Sequence, residues 1–179
     1  MFNADASLGS HRWPVVRLRG GSHTEVVLLS TKFFLLTTHW QRVTYPCCGD
    51  DCAVCELLPS RGLFYVAVGC NGQVSLLELG AASSSSFEQH AKFVGGGMIV
   101  GQVFDVSRRG DKSPVRSEFL RLQDRCSEVP HLELAKRVMA LYKFPPPNPG
   151  EDIASYERRS HLIAKSRCDR AAQLMLSKG

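Results

Sequence analysis

The chain has 179 residues and a mass of 19.8 kDa, enough for one hydrophobic core with an appended piece. Its 44% hydrophobic and 22% charged residues are typical of a globular protein, and no apolar stretch approaches the length needed to span a membrane. The net charge of +5 is uneven, because residues 1–107 carry seven Lys/Arg against eight Asp/Glu and residues 108–179 carry fifteen against nine. A basic second half indicates an anionic partner, most commonly nucleic acid. The alternative is that these charges only form the solvated surface of helices.

The first two thirds of the chain read mostly as β-strand. Runs of alternating, aromatic and β-branched residues predict strands at 15–19, 25–29, 32–38, 63–68, 74–79, 98–106 and 115–122. Asn71-Gly72, between two such runs, is a strong hairpin signal. The serine run at 83–86 is expected to cap a short helix at 87–94, which the three following glycines end.

The rest of the chain is predicted to be helical. Apolar residues at helical spacing predict a helix at 131–144, and the four prolines within 145–150 must break it and form a semi-rigid linker. Glu151 and Asp152 suit the start of a last helix. The expected domains are an OB-like domain at 1–125, a packing helix at 126–144, the linker at 145–150 and a basic C-terminal helix at 151–179.

The order of these elements predicts a β-rich α+β fold. Strands followed by a short helix and then a hairpin with a basic loop match a five-stranded OB-like barrel, whose helix lies between its third and fourth strands. A zinc-braced loop between early strands and C-terminal helices after the barrel complete the predicted architecture.

Four of the seven cysteines lie within nine residues of each other, shortly after His39. Cys52 and Cys55 form a C-x-x-C knuckle, in which one tight turn supplies two thiolates to a tetrahedral zinc ion. Cys47 or Cys48 can supply a third thiolate; they are adjacent, so their side chains diverge. We therefore expect one structural zinc per chain, bound by His39 and three of the four cysteines, with the choice between Cys47 and Cys48 open.

The clustered cysteines could instead form a redox pair or be unconnected buried thiols, but both are less favoured than zinc. A redox C-x-x-C pair needs a helix start within a βαβ pattern, which the sequence lacks. Cys70, Cys126 and Cys168 stand singly in apolar patterns and are expected to be buried thiols. An odd, clustered cysteine count and the absence of a signal-peptide pattern at residues 1–7 predict a cytoplasmic protein.

Basic residues interleaved with aromatic ones are the side chains that a single-strand binder needs, because every nucleotide has a phosphate and a base with a π-face. Trp40 and Tyr65 are candidate platforms for stacking, with core packing as the alternative for each. Consecutive arginines in a glycine-containing loop cannot be core. The predicted nucleic-acid-binding residues are Arg17, Arg19, Lys32, Trp40, Arg42, Arg61, Tyr65, Arg108, Arg109, Lys112 and Arg116.

The residues around the knuckle resemble those of a known family. His39, Pro46-Cys47, Cys52-Ala53-Val54-Cys55 and Arg61-Gly62-Leu63-Phe64-Tyr65 are similar to the zinc-containing OB-fold single-stranded DNA-binding proteins of phages, the T4 helix-destabilising type. The resemblance covers about residues 25–122. It implies a histidine and three cysteines as zinc ligands, coating of single-stranded DNA in replication or recombination, and a bacterial or phage-infected cell. The ligand spacing here is more compact, and a basic helix stands where that family has an acidic tail.

Enzyme activity is not expected, because the sequence lacks the common catalytic motifs and four protein ligands would close the zinc site. The predicted function is binding of single-stranded DNA, or RNA, without sequence preference, in company with replication or recombination proteins and not at a membrane. The alternative is an adaptor that presents its C-terminal helices to a protein partner.

Overall fold

The computed structural model describes residues 12–177, so the segment in which no signal peptide was expected lies outside the described residues. Eight strands and three helices follow one another in this range. They are β1 (Val15–Val16), β2 (Ser22–Leu28), β3 (Phe34–Gln41), β4 (Val43–Pro46), β5 (Ser60–Cys70), β6 (Gln73–Gly80), α1 (Ala81–Gly95), β7 (Gln102–Arg108), β8 (Val115–Leu122), α2 (His131–Leu141) and α3 (Ile153–Leu176). None of the described helices combines the length and apolar composition needed to cross a membrane.

The strands form an open mixed sheet, and the predicted β-rich α+β class is confirmed. Neighbouring strands follow the order β1-β6-β5-β2-β7-β8, while β3 pairs with β4 and β5. Five strands were predicted, and eight are found among the described residues. The strand pairings of the described residues do not close the sheet into a barrel. At one end of the sheet, β1 pairs in parallel with β6, through Val15–Leu76 and Val16–Leu77. That pairing occupies the edge of β6 through which a five-stranded barrel would close.

The described residues divide into two compact units. The first unit holds the described residues up to Phe34 together with Phe64–Leu134, and the second unit holds Leu35–Leu63 with the described residues from Ala135 onward. The second unit therefore contains both the cysteine-rich segment and the C-terminal helix. By sequence, residues 35–63 and 135–179 carry eleven Lys/Arg against seven Asp/Glu, which gives the second unit a net charge of +4.

The first unit is built on one apolar face of the sheet. Alternating residues of β2, β5, β6 and β7 are buried with α1 in a single cluster, in which the rings of Phe87 and Phe104 lie 4.9 Å apart. The hairpin between β5 and β6 is confirmed: Asn71 and Gly72 have φ of 49° and 77°, the left-handed values that a two-residue hairpin requires.

Helix α1 begins six residues before the predicted start at Phe87, so the expectation that the serine run caps it was wrong. Gly80 is the N-cap, and the serines form the first turns of the helix. Ser83 is buried, and its Oγ accepts a hydrogen bond from the backbone N–H of Val115 at 2.9 Å. The end at the glycines is confirmed, with Gly96 in the left-handed conformation at φ 70°.

Helix α3 begins at a well-formed cap in the second unit. Asp152 is the N-cap, and its Oδ1 accepts a hydrogen bond from the backbone N–H of Ser155 at 2.7 Å. Arg159 forms a bidentate ion pair with Glu151 and also donates to the carbonyl of Pro146. One turn past the middle of the helix, the Arg167 guanidinium stacks over the Phe144 ring at 4.4 Å. These contacts attach the proline-rich segment to α3.

We expect Asp152→Ala to lower the melting temperature of the protein, because the first turn of α3 loses its cap. The backbone and side-chain hydrogen bonds of Ser155 hold the pKa of Asp152 below its ordinary value of 3.8, so the folded state favours the carboxylate. Its contribution to stability is therefore present above that pH and lost as the pH falls through the folded-state pKa. Asp152→Asn keeps an acceptor for Ser155 and should melt close to the wild type in thermal denaturation at neutral pH. An equal loss in both variants would contradict the cap.

Candidate functional site

Four predicted ligands converge in the second unit. His39 lies near the end of β3, Cys47 directly follows β4, and Cys52 and Cys55 come from the turn beyond it. Their ligand atoms all lie within 4.8 Å of one another. Nε2 of His39 is 3.6 Å from Sγ of Cys52 and 3.4 Å from Sγ of Cys55, and the sulfurs of Cys47 and Cys55 are 3.6 Å apart. This group, the His39 cluster, could hold a metal ion.

A backbone carbonyl fixes the orientation of the His39 imidazole. Its ring is fully buried, and Nδ1 lies 3.2 Å from the backbone carbonyl of Pro59. A carbonyl can only accept, so Nδ1 carries the proton and Nε2 presents its lone pair to the thiols. This is the arrangement by which metal-bound histidines are usually held.

The loop between β4 and β5 is folded by hydrogen bonds to its own cysteines. The backbone N–H of Gly49 points at Sγ of Cys47 at 3.4 Å, a turn for which Gly49 takes a φ of 90°. The N–H of Cys52 donates to the carbonyl of Gly49, and the N–H of Cys55 to that of Cys52. These short turns place Cys52 and Cys55 on the same side of the loop.

Cys48 faces away from the His39 cluster. Its sulfur groups instead with those of Cys52 and Cys168, again within 4.8 Å of one another, and all three residues are buried. Cys168 lies on α3 and its Sγ donates to the carbonyl of Pro46 at 3.2 Å. Cys52 therefore belongs to both groups of thiols, and of the adjacent pair only Cys47 joins His39.

The thiols differ in acidity according to their surroundings. Burial opposes ionisation of Cys52, but hydrogen bonds from the backbone of Cys48 and Val54 and from neighbouring thiols outweigh it and lower its pKa to about 5. Burial and the nearby sulfur of Cys52 raise the pKa of Cys48 to about 11, and burial together with Cys47 raises that of Cys55 to about 12. The negative charge of one thiolate thus opposes ionisation of the others, and a bound cation would relieve this repulsion.

Three predicted nucleic-acid-binding residues lie beside the His39 cluster. Trp40 follows His39 on β3 and is 61% exposed, although tryptophan is usually well covered. Arg42 is the exposed residue between β3 and β4. Arg61 is exposed on β5, next to β3, and its carbonyl accepts from Oγ1 of Thr38 at 3.4 Å. Within residues 12–177, neither arginine side chain takes part in an ion pair or hydrogen bond.

The remaining predicted residues lie in the first unit, and three of them have structural partners. Arg17 forms a bidentate ion pair with Glu78, and the buried Tyr65 donates to the same carboxylate at 2.8 Å, so its ring is not available at the surface. Arg108 donates to the carbonyls of Leu18, Asp111 and Ser113 and thereby holds the β7–β8 loop together. The other side chains are exposed: Arg19, Lys32, Arg109, Lys112 and Arg116.

Two contributors to the cysteine-rich region were missed from the sequence. Cys168 was expected to be an isolated buried thiol, and Lys165, whose Nζ lies 3.4 Å from the carbonyl of Asp51, was not considered. Both lie on α3, more than 110 residues from the loop. No local pattern could have connected them to it.

No protein-family model, curated protein or solved structure matches the chain. What the protein does must therefore be inferred from the side chains that its fold brings together. In the second unit these are a His/Cys cluster that could hold a metal ion, an exposed tryptophan next to one of its members, and arginines nearby that are unpaired among the described residues.

Proposed function

We propose that the His39 cluster binds one structural zinc ion through His39, Cys47, Cys52 and Cys55. Zinc–sulfur bonds of about 2.3 Å and zinc–nitrogen bonds of about 2.0 Å put the ligand atoms of a tetrahedral site about 3.5–3.8 Å apart. Three of the six separations between the ligand atoms are 3.4–3.6 Å, close to this geometry, and all six are within 4.8 Å. One imidazole and three thiolates form a closed structural set, which leaves no ligand position for catalysis.

We further propose that the protein binds single-stranded DNA, without sequence preference, on the β3–β4 hairpin that this zinc ion braces. The observation that carries the proposal is Trp40, whose ring is 61% exposed one residue after the buried His39. An exposed indole on a strand is a platform for stacking a base, worth about 1–3 kcal/mol. Arg42, two residues after Trp40, and Arg61, on a strand paired with β3, are exposed and unpaired among the described residues and can meet the flanking phosphates.

The fold and charge of the chain agree with this function. If β2, β5, β6, β7 and β8 are taken as the five strands of an OB-like arrangement, α1 lies between the third and fourth, as in OB folds. The second unit, which carries Trp40, has the larger share of the net charge at +4. Among the loop cations of the first unit, Arg109 and Lys112 are exposed, while Arg108 is engaged with carbonyls. A role in replication or recombination follows from the resemblance to the phage single-strand binders.

The test is a titration with oligo-dT, with a matched duplex and with the corresponding RNA. We expect tighter binding to the single strand, and a linear fall of log affinity with log salt concentration, because bound cations release counterions from the phosphates. Fluorescence of Trp40 should be quenched by a stacked base, whereas Trp13, which is buried in the first unit, should be unaffected. Equal affinity for duplex, or no dependence on salt, would contradict the proposal.

The adaptor alternative has one observation in its favour. Leu162, Leu174 and Leu176 on α3 are each at least 60% exposed and offer apolar surface to a protein partner. Against it, the small residues on the opposite side of α3 are buried and so unavailable to a partner: Ala164, Cys168, Ala171 and Ala172. Undetectable binding to oligo-dT, together with pull-down of a protein that Leu162→Asp and Leu174→Asp abolish, would favour the adaptor.

A further inference from the structure

The structure contains a second group of converging thiols that the proposed zinc site does not use. Cys48, Cys52 and Cys168 present their sulfurs within 4.8 Å of one another, and the residues are only 2%, 3% and 0% exposed. Cys48 and Cys52 come from the loop, while Cys168 comes from α3. Because Cys47 and Cys48 are adjacent, their side chains diverge, and one chain segment thereby supplies a sulfur to each group.

We propose that Cys48, Cys52 and Cys168 bind a second metal ion of soft character, Cu(I), with Cys52 as a thiolate bridge to the ion of the His39 cluster. The second unit would then hold a pair of unlike ions. This inference goes beyond single-strand binding and rests on the proposed function only through the shared Cys52.

The ligand set favours a soft ion. Three sulfurs at bonds of about 2.3 Å around one ion lie about 4 Å apart, so the observed grouping within 4.8 Å needs only a small contraction. Thiolates prefer soft ions such as Cu(I), and no carboxylate or imidazole belongs to this group among the described residues. The site is buried, so water is excluded as a further ligand. A three-coordinate ion is therefore the best match.

Binding of the second ion exchanges two protons for two copper–sulfur bonds. When the first ion is bound, Cys52 is already a thiolate, and Cu(I) displaces one proton from Cys48 and one from Cys168 as the two new copper–sulfur bonds form. Both protons leave to solvent, and the copper stays in the Cu(I) state throughout. The second unit, with a net charge of +4, supplies compensation for the negative charge of the thiolates.

The test uses the full chain loaded with zinc, to which Cu(I) is added anaerobically as its acetonitrile complex. Native mass spectrometry should count one zinc and one copper ion per wild-type chain. Cys48→Ser and Cys168→Ser should each keep the zinc ion and lose the copper ion. Cys126→Ser, a half-buried cysteine of the first unit, is the matched control and should keep both ions. X-ray absorption at the copper edge should find sulfur as the only element bonded directly to copper.

Several outcomes would overturn the inference: one ion only in the wild type, copper that replaces zinc instead of joining it, or copper retained in both serine variants. The wild-type count and the Cys48→Ser variant keep the test decisive if Cys168→Ser does not fold. A chain with one zinc ion and no copper would contradict the second site while the proposed function stands. A chain that binds no zinc would contradict the proposed function itself.

Discussion

Replacing Cys52 by serine is expected to abolish binding of the zinc ion and to unfold the second unit. Cys52 contributes to both groups of thiols, and the loop around it is folded largely by short turns. Structural zinc contributes about 10–16 kcal/mol to folding in small zinc domains at neutral pH, which exceeds the total stability of most domains. The measurements are zinc content by elemental mass spectrometry and thermal unfolding by circular dichroism.

The matched control for this prediction is Cys126→Ser. Cys126 is a cysteine of the first unit whose Sγ donates to the carbonyl of Gln123, a bond that a serine hydroxyl can also make. The Cys126→Ser protein should keep its zinc ion and have a melting temperature close to that of the wild type. Removing zinc from the wild type with a chelator should reproduce the effect of Cys52→Ser and release the thiols to a thiol reagent. A metal-free wild type that melts like the loaded protein would contradict a structural role for the ion.

Replacing Trp40 by alanine is expected to weaken binding of oligo-dT by about 1–3 kcal/mol, or roughly 5- to 150-fold. The loss comes from one stacked base, so the salt dependence should be nearly unchanged, because stacking releases few ions. Arg42→Ala and Arg61→Ala should act differently, each lowering the slope of log affinity against log salt by about one unit for a lost phosphate contact. Fluorescence anisotropy of a labelled oligonucleotide at several salt concentrations measures both quantities.

Trp40→Phe is the control for stacking, since a phenylalanine ring keeps a π-face and should recover part of the affinity. Every variant must first hold one zinc ion, because Trp40 is next to a proposed ligand. Trp40 is mostly exposed, so its removal should leave the melting temperature almost unchanged. If Trp40→Ala binds like the wild type while changes in Arg158 or Arg170 on α3 abolish binding, the single strand binds on α3 and not on the hairpin.

The sequence alone determined the features that depend only on neighbouring residues, such as turns and helix ends. The Asn71-Gly72 hairpin, the end of α1 at the glycines and the general positions of most strands were predicted because each depends on a few consecutive residues. The short strand β4 was missed, since a four-residue strand carries too little periodicity to detect. The serine run was misread as a cap because the hydrogen-bond partner of Ser83, the backbone N–H of Val115, lies 32 residues further along the chain.

The candidate site shows the same division. Spacing alone identified His39, the C-x-x-C knuckle and a third thiol from Cys47 or Cys48, since these ligands are close in sequence. Which of the two joins His39 depended on the course of the loop, and the sequence had left that choice open. The sequence also could not predict which of two aromatic rings is exposed, because both lie in strands beside polar residues. Trp40 is exposed, whereas Tyr65 is buried and hydrogen-bonded to Glu78.

Only the tertiary structure decided what α3 contributes. A cysteine 116 residues after Cys52 has no periodic or compositional link to it, and proximity of two such sulfurs is a property of packing. The same holds for the sheet, where β1 occupies the edge of β6 that a barrel would have used. Pairing between distant segments depends on the whole chain, so turns and ligand spacing could be predicted from the sequence, whereas strand neighbours, the second group of thiols and the exposure of each ring could not.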